Sequence, residues 1–224
     1  QYKSLLTIND NISVRCACMD KPKRKLGVGF SNGCFQIISV NSGTILFDID
    51  NTYCPNGCNT IEIGVLFGVE RVVCSSNKRS AVIFDIVAGK RLQFLRNFVG
   101  HTENIMKTVI LKEKLILTIG TEVECFLWSL SQQAPIMKFT FRDEPTTATD
   151  IPFDPNIFIV GDISGYIYFI SIDTFEILFQ MKPFNMAKST SITCLKVIEE
   201  LGILIASNFN GYVQVWGIDN TDSF

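Results

Sequence analysis

The sequence predicts an all-β protein built from five successive four-stranded antiparallel units, and three observations indicate this. Similar strand-like segments recur about every 45 residues. Turn-forming residues separate these segments, and no long window keeps the i, i+3, i+4, i+7 apolar spacing of an amphipathic helix. The chain has 224 residues, of which 47% are hydrophobic and 19% charged. That composition can bury a core and excludes an intrinsically disordered chain.

The period is clearest in the third strand of each unit. Its equivalent positions carry an apolar or aromatic residue and are separated by 46, 44, 42 and 46 residues. These positions are Ile38, Phe84, Trp128, Ile170 and Trp216. Unrelated strands would not keep this spacing over four intervals, so the sequence predicts a repeat architecture.

The strand before each of these is rich in Val, Ile, Leu and Phe and becomes small and polar toward a tight turn. In three units the turn contains Asn32-Gly33, Ser164-Gly165 or Asn210-Gly211. Such pairs favour a hairpin turn because glycine readily adopts positive φ. A polar turn and a short fourth strand follow. The predicted units cover residues 9–50, 60–97, 103–142, 146–184 and 190–219.

A four-stranded unit of this period resembles one blade of a WD-repeat β-propeller. Gly100-His101 is similar to the Gly-His dipeptide of that family, and Trp128 follows it at the family's usual interval. Trp216 matches the same Trp position in the last unit, and Asp85 matches the Asp that follows it in the second. The resemblance covers about residues 4–220. It implies a propeller and gives His101, Trp128, Trp216 and Asp85 structural roles.

The ends of the chain leave two alternatives for the ring. The last unit has no fourth strand after Trp216, whereas Ser4–Ile8 is an apolar strand ahead of the first unit. Either Ser4–Ile8 closes a five-bladed ring, or the five blades belong to a larger ring, commonly one of seven blades. The family's habit and the start at Gln1 favour the larger ring. An open ring would leave edge strands that something else has to cover.

No catalytic, cofactor or metal site is predicted. The chain has one histidine, His101, and contains no phosphate-binding glycine loop, GxSxG or HExxH motif. Cys54 and Cys58 could form half of a zinc site or a redox pair. Because no second such pair supplies further ligands, we expect an ordinary loop between blades. The eight scattered cysteines are typical of a reducing compartment.

Nine charged residues are predicted to lie in exposed loops, where recognition usually resides on a rigid scaffold. We interpret Tyr166, Tyr168 and Phe169, by contrast, as packing between blades. The nine candidates are Lys21, Lys23, Arg24 and Lys25 between the first two strands, Lys78 and Arg79 in a hairpin turn, and Arg142, Asp143 and Glu144 in a loop between units.

The function that these features favour is a non-catalytic scaffold for protein–protein interaction within a larger eukaryotic assembly, in the cytoplasm. The alternative is a propeller that binds nucleic acid or phosphoinositide through residues 21–25, a run that also resembles a nuclear-import signal. A net charge of -2 gives no electrostatic footprint for wholesale nucleic-acid binding. The apolar runs are shorter than the roughly 18 residues of a membrane-spanning helix.

Overall fold

The computed structural model describes residues 11–87, 91–183 and 190–218. Within them, five antiparallel sheets follow one another along the chain, and the predicted β-propeller of five blades is confirmed. The strands, blade by blade, are β1 (Val14–Met19), β2 (Lys25–Phe30), β3 (Phe35–Ser39) and β4 (Ile45–Ile49); β5 (Cys58–Leu66), β6 (Val69–Ser76), β7 (Ser80–Val87) and β8 (Arg91–Val99); β9 (Ile105–Leu111), β10 (Leu115–Gly120), β11 (Glu124–Ser129) and β12 (Met137–Thr140); β13 (Pro145–Asp150), β14 (Ile157–Asp162), β15 (Ile167–Ser171) and β16 (Ile177–Met181); and β17 (Ile192–Ile198), β18 (Ile203–Asn208) and β19 (Val213–Gly217).

Helix is confined to one short 3₁₀ turn, Glu199–Leu201, in the described part of the chain. No helix there is long and apolar enough to span a membrane. Three predicted boundaries move: the second blade ends at Val99 rather than at residue 97, the fourth begins at Pro145 rather than at 146, and the second begins at Cys58 rather than at 60, so Cys58 belongs to β5 and not to the preceding loop. The reason is pairing, because Cys58 lies opposite Ser76 of β6.

The hairpin turns between second and third strands have the predicted backbone. Gly33, Gly165 and Gly211 have φ values of 90°, 87° and 83°. This is the left-handed region, which a residue with a Cβ rarely adopts. The three glycines therefore fix where β2, β14 and β18 end, and they set the register of the strands that follow.

The hydrophobic core lies between blades rather than within one. Each of four apolar clusters draws its side chains from two neighbouring blades. In β14 every residue from Ile157 to Asp162 is buried, because blades cover both faces of this middle strand. The outer strand β16 is exposed at four of its five residues. The middle strands therefore read as continuous apolar runs, while the outer strands meet solvent.

The first strands of successive blades pack side by side at the centre of the arc. The pairs β1–β5, β5–β9, β9–β13 and β13–β17 have this contact, whereas β17 does not pack on β1 in the same way. Two long ion pairs bring the first and last blades together instead: Lys21 Nζ lies 3.9 Å from Glu199 Oε2, and Lys23 Nζ lies 3.8 Å from Glu200 Oε1.

The predicted closing strand Ser4–Ile8 lies outside the described residues. The fifth blade has three strands within the described part of the chain, and the residues after 218 also lie outside that part. The five-bladed closed ring and the larger ring of about seven blades therefore both stay predictions.

Truncation of Phe158 tests the placement of the core between blades. Phe158 is fully buried in β14 and packs between the third and fourth blades. We expect Phe158→Ala to lower the free energy of unfolding by about 3–5 kcal/mol, because it removes a large side chain and leaves a cavity. Denaturant unfolding followed by tryptophan fluorescence measures this.

Phe209→Ala is the matched control, since Phe209 is 75% exposed. It should change the free energy of unfolding by no more than about 0.5 kcal/mol. Equal effects of the two substitutions would contradict a core located between blades.

Candidate functional site

One edge of the propeller carries the starts of the first strands together with the turns between second and third strands. Backbone hydrogen bonds join these two loop sets within each blade. Thr121 N donates to Asn104 O at 3.0 Å in the third blade, and Ile163 N donates to Glu144 O at 2.9 Å in the fourth. We call this edge the hairpin face. Its loops are held by the sheet beneath them.

A groove opens on the hairpin face between the third and fourth blades. Its volume is about 230 Å³. The lining combines aromatic rings with polar and charged groups: Thr140, Phe141, Arg142, Tyr166, Tyr168, Ile177 and Gln180. β12 and the loop after it supply one wall, and β15 and β16 supply the other. The groove thus offers apolar contact area with polar groups at its rim.

A buried polar pair fixes the floor of the groove. Tyr168 Oη donates to Asp162 Oδ2 at 2.8 Å, and the backbone N of Tyr166 donates to Asp162 Oδ1 at 2.8 Å. Burial raises the pKa of Asp162, and burial together with the neighbouring Asp162 raises the pKa of Tyr168. Both side chains are engaged with each other, so the pair holds the two tyrosines in place rather than offering a titrating site.

Two cations stand at the rim of the groove. Arg142 is exposed in the loop after β12, and Lys182 Nζ lies 4.9 Å from the centre of the Tyr166 ring, in cation–π range. Neither cation forms an ion pair with a carboxylate of the described residues. The rim therefore has positive charge available to an incoming group.

The other predicted charges of this face are distributed over it. Asp143 and Glu144 are partly buried beside Arg142, and the Glu144 carbonyl is used within the fourth blade. Lys78 and Arg79 are exposed in the turn after β6, in the second blade. The structure thus brings Arg142, Asp143 and Glu144 together at the groove and leaves Lys78 and Arg79 a blade away.

The basic run 21–25 lies at the opposite edge, in the turn between β1 and β2, except that Lys25 is the first residue of β2 rather than the predicted loop residue. Besides the contacts of Lys21 and Lys23 with the fifth blade, Lys25 Nζ lies 2.6 Å from Glu70 Oε1 of the second blade and is largely buried. Arg24 is the member of the run without a carboxylate partner among the described residues. Three of the four cations are thus held in contacts between blades.

His101, Thr118, Trp128 and Glu122 form a hydrogen-bonded network in the third blade. Trp128 Nε1 donates to Thr118 Oγ1 at 2.7 Å, and Thr118 Oγ1 lies 2.6 Å from His101 Nε2. His101 Nδ1 contacts Glu122 Oε1. A neutral imidazole protonated on Nδ1 satisfies each member, because Thr118 then donates to His101 and His101 to Glu122. Burial lowers the pKa of His101, which favours this neutral form.

The other residues that the family resemblance singles out are also held in structural contacts. A Cβ on Gly100 would lie 2.9 Å from the Trp128 ring, so glycine there lets the indole approach. Asp85 Oδ1 accepts from Arg71 Nε at 2.6 Å within the second blade. Trp216 is partly buried against the cluster between the fourth and fifth blades.

The inner strands bring four charges of alternating sign near one another. Glu62 of β5 interacts electrostatically with Lys107 of β9, Asp150 of β13 and Lys196 of β17. Burial raises the pKa of Glu62 to about 7, while Lys107 opposes this rise. Four of the five inner strands, all except β1, thus contribute one charged residue to this group, an arrangement that the sequence analysis did not find.

Cys54 and Cys58 are the pair whose spacing suggests half of a zinc site. Among the residues that the structure describes, no group of three or more His, Cys, Asp and Glu side chains has the geometry to hold a metal ion. The two thiols instead contact two further thiols, Cys16 and Cys74. The sequence analysis also missed Tyr166 and Lys182 as groove residues. The sequence carries no signal for this role. Tyr166 comes just before β15 and Lys182 just after β16, and only the fold brings them near Arg142.

Comparisons with known proteins give the fold and no family. No family model matches the sequence, and no curated protein matches it. In structure, 1601 solved chains match, so the architecture is a common one. One is a chain of the crystal structure of the mitotic checkpoint complex, with a TM-score of 0.78 and 13% identity. The match covers 96% of this chain and 64% of that one, so this chain spans less than two thirds of its length.

Removal of the Thr118 hydroxyl tests the network of the third blade. We expect Thr118→Val to lower the free energy of unfolding by about 2–4 kcal/mol, because the Trp128 N–H and His101 Nε2 both lose a partner inside the protein. Thr108→Val is the matched control: Thr108 is equally buried, and its hydroxyl contacts only the Thr60 hydroxyl at 2.9 Å. Its cost should be about 1 kcal/mol. If thermal unfolding gives the same loss of unfolding free energy for both variants, the network contributes no more to stability than one ordinary hydrogen bond between hydroxyls.

The pH dependence of stability tests Glu62. Its folded pKa of about 7 lies above the ordinary 4.5, so the folded protein binds the proton more tightly than the unfolded chain. The contribution of Glu62 to stability is therefore greatest below pH 4.5 and declines as the pH rises through 7. Glu62→Gln should remove this decline and make the protein more stable than wild type at pH 8, by about 1–3 kcal/mol.

Denaturant unfolding between pH 4 and 8 measures the effect. The difference between wild type and variant at each pH isolates Glu62 from other groups. Glu103→Gln, in an exposed loop, should follow the wild-type profile. A profile of Glu62→Gln parallel to wild type would show that this carboxyl is not desolvated.

Proposed function

We propose that this protein is a non-catalytic scaffold that binds a protein partner at the groove on its hairpin face, as part of a multiprotein assembly inside the cell. The observation that carries the proposal is the pair of cations, Arg142 and Lys182, placed without carboxylate partners among the described residues beside the Tyr166 ring. Aromatic and Arg side chains are the groups that most often dominate binding energy at protein interfaces.

The chemistry of the groove favours one class of partner. A peptide segment that carries an acidic side chain next to an aromatic or aliphatic one would match the rim cations and the walls formed by Phe141, Tyr166 and Ile177. The walls belong to strands of two packed blades, so little conformational entropy would be lost on binding. A likeness of fold to a chain in a multiprotein checkpoint complex supports the assembly role.

The non-catalytic character is part of the same proposal. His101 is the one histidine of the chain, and both its ring nitrogens are engaged in the network of the third blade. A general base needs a free nitrogen within reach of substrate. We place the protein in the cytoplasm, where its free thiols stay reduced.

Cross-linking in the native assembly tests the proposed face. The tagged full chain is recovered from cells under native conditions and treated with a lysine-reactive cross-linker. We expect partner cross-links on Lys182, on the hairpin face, and not on Lys114, which is exposed in the turn between β9 and β10 at the opposite edge. Recovery of a lone monomer, or cross-links on Lys114 alone, would contradict the proposal.

Substitution at the groove tests whether its residues contribute to partner binding. Arg142→Ala combined with Tyr166→Ala should weaken partner recovery by roughly tenfold or more, equivalent to about 1.4 kcal/mol or more of binding free energy. Lys114→Ala is the control, since it removes an exposed charge at the opposite edge and should leave recovery unchanged. Thermal unfolding of each variant shows whether the fold is kept.

A further inference from the structure

Four thiols meet in series at the boundary between the first and second blades. Cys16 Sγ lies 3.9 Å from Cys58 Sγ, and Cys54 Sγ lies 3.5 Å from Cys74 Sγ. Cys54 and Cys58 also influence each other's pKa, so the two pairs adjoin at these residues. The contacts therefore run in the order Cys16, Cys58, Cys54, Cys74. We call this set the thiol series.

The series runs from the protein surface into its interior. Cys16 is partly exposed on β1, whereas Cys58, Cys54 and Cys74 are completely buried. The residues come from β1, β5, β6 and the loop before β5, so the series crosses from the first blade into the second. An oxidant arriving from solvent can reach Cys16 first.

Glycines of the first blade make room for the sulfur atoms. A Cβ on Gly29 would lie 2.5 Å from Cys16 Sγ and 2.6 Å from Cys58 Sγ. A Cβ on Gly33 would lie 1.9 Å from the Cys54 carbonyl oxygen. The close approach of the thiols therefore depends on positions that carry no side chain.

We propose that the thiol series is a peroxide-oxidised dithiol site in which Cys16 is the entry point and Cys54–Cys74 is the final disulfide. The Cys16 thiolate attacks one oxygen of a hydroperoxide; the O–O bond breaks, giving Cys16 sulfenic acid and releasing hydroxide or alkoxide. The Cys58 sulfur then attacks the sulfenic sulfur, forming the Cys16–Cys58 disulfide and releasing water. The peroxide is reduced, and two thiols are oxidised.

Two exchange steps then move the disulfide inward without further oxidation. Cys54 attacks Cys58 Sγ, so that a Cys54–Cys58 bond forms and Cys16 leaves as thiolate. Cys74 attacks Cys54 Sγ, so that the Cys54–Cys74 bond forms and Cys58 leaves. Each attacking thiol gives up a proton and each leaving thiolate takes one. The first and the last disulfide join sulfur atoms that are already in contact, 3.9 Å and 3.5 Å apart.

The pKa shifts within the series favour thiolate at two of its members. The hydrogen bond with Cys58 lowers the pKa of Cys16, so the entry thiol has thiolate character. Hydrogen bonds from Cys58 and Cys74 lower the pKa of Cys54, the thiol that attacks Cys58 in the first exchange step. The same contacts raise the pKa of Cys58 and Cys74, so these two thiols give up their protons as they attack.

The test treats the full chain, reduced and held in chelator, with stoichiometric hydrogen peroxide. Remaining thiols are alkylated in denaturant at successive times, and peptide mass spectrometry identifies the disulfides. We expect Cys16–Cys58 first and Cys54–Cys74 later, each with the loss of two alkylatable thiols. Cys74→Ser should abolish only the late disulfide. Cys16→Ser should slow disulfide formation roughly tenfold or more, because the remaining thiols are buried.

Cys194→Ser is the matched control. Cys194 is exposed on β17, outside the series, and its loss should leave both disulfides and their order unchanged. Three results would overturn the proposal: oxidation of Cys16 to sulfinic acid without a disulfide, disulfides formed only between chains through Cys194, or simultaneous appearance of both pairs. The wild-type time course decides by itself if a variant fails to fold.

Discussion

The structure depends on the burial of each blade face against its neighbour. A single antiparallel sheet of four strands has two faces, and neither can be buried within the sheet itself. Because the sheet is repeated, each blade packs against its neighbours. The first blade covers one face of β5–β8, and the third blade covers the other. Because the core exists only between blades, the middle strands must be apolar on both sides, and the blades stabilise one another in sequence.

The same constraint governs where polar groups are allowed. A polar side chain buried between blades needs a hydrogen-bonding partner there. Thr118 has Trp128 and His101 as partners, and Arg71 has Asp85. The hydrogen-bonded network occurs in the third blade because that blade has the histidine. Elsewhere an apolar residue, such as Phe84 in the second blade, fills the equivalent position and packs instead. Either arrangement holds the neighbouring blades together.

The repeat and the turns could be predicted from the sequence, because both depend on residues close together in the chain. Gly33, Gly165 and Gly211 mark their own turns by local chemistry. The groove could not be predicted in the same way, since Arg142, Tyr166 and Lys182 come from different elements and become neighbours only when two blades pack.

The thiol series shows the same limit. The sequence draws attention to Cys54 and Cys58 by their spacing, but the partners that complete the series are Cys16 and Cys74, each far from both in the chain. For Cys16 the sequence does carry a signal, because Gly29 pairs with it across the β1–β2 ladder. A small residue within an otherwise bulky strand indicates that something approaches closely from the next blade.

The end blades show what the packing constraint means where the repetition stops. In the fifth blade, Leu204 and Ala206 are buried against the fourth blade. Val213 and Val215 of β19 pair with Ser207 and Ile205, which alternate with these two along β18, and they are 61% and 56% exposed. In the first blade, Val28 and Ile38 on the outward face are buried in a small cluster of their own. The two ends are therefore unequal. The first blade buries part of its outward face with its own side chains. The fifth blade, in contrast, has the exposed apolar strand β19 at its surface. An apolar, exposed outermost strand is the kind of edge to which another strand can add.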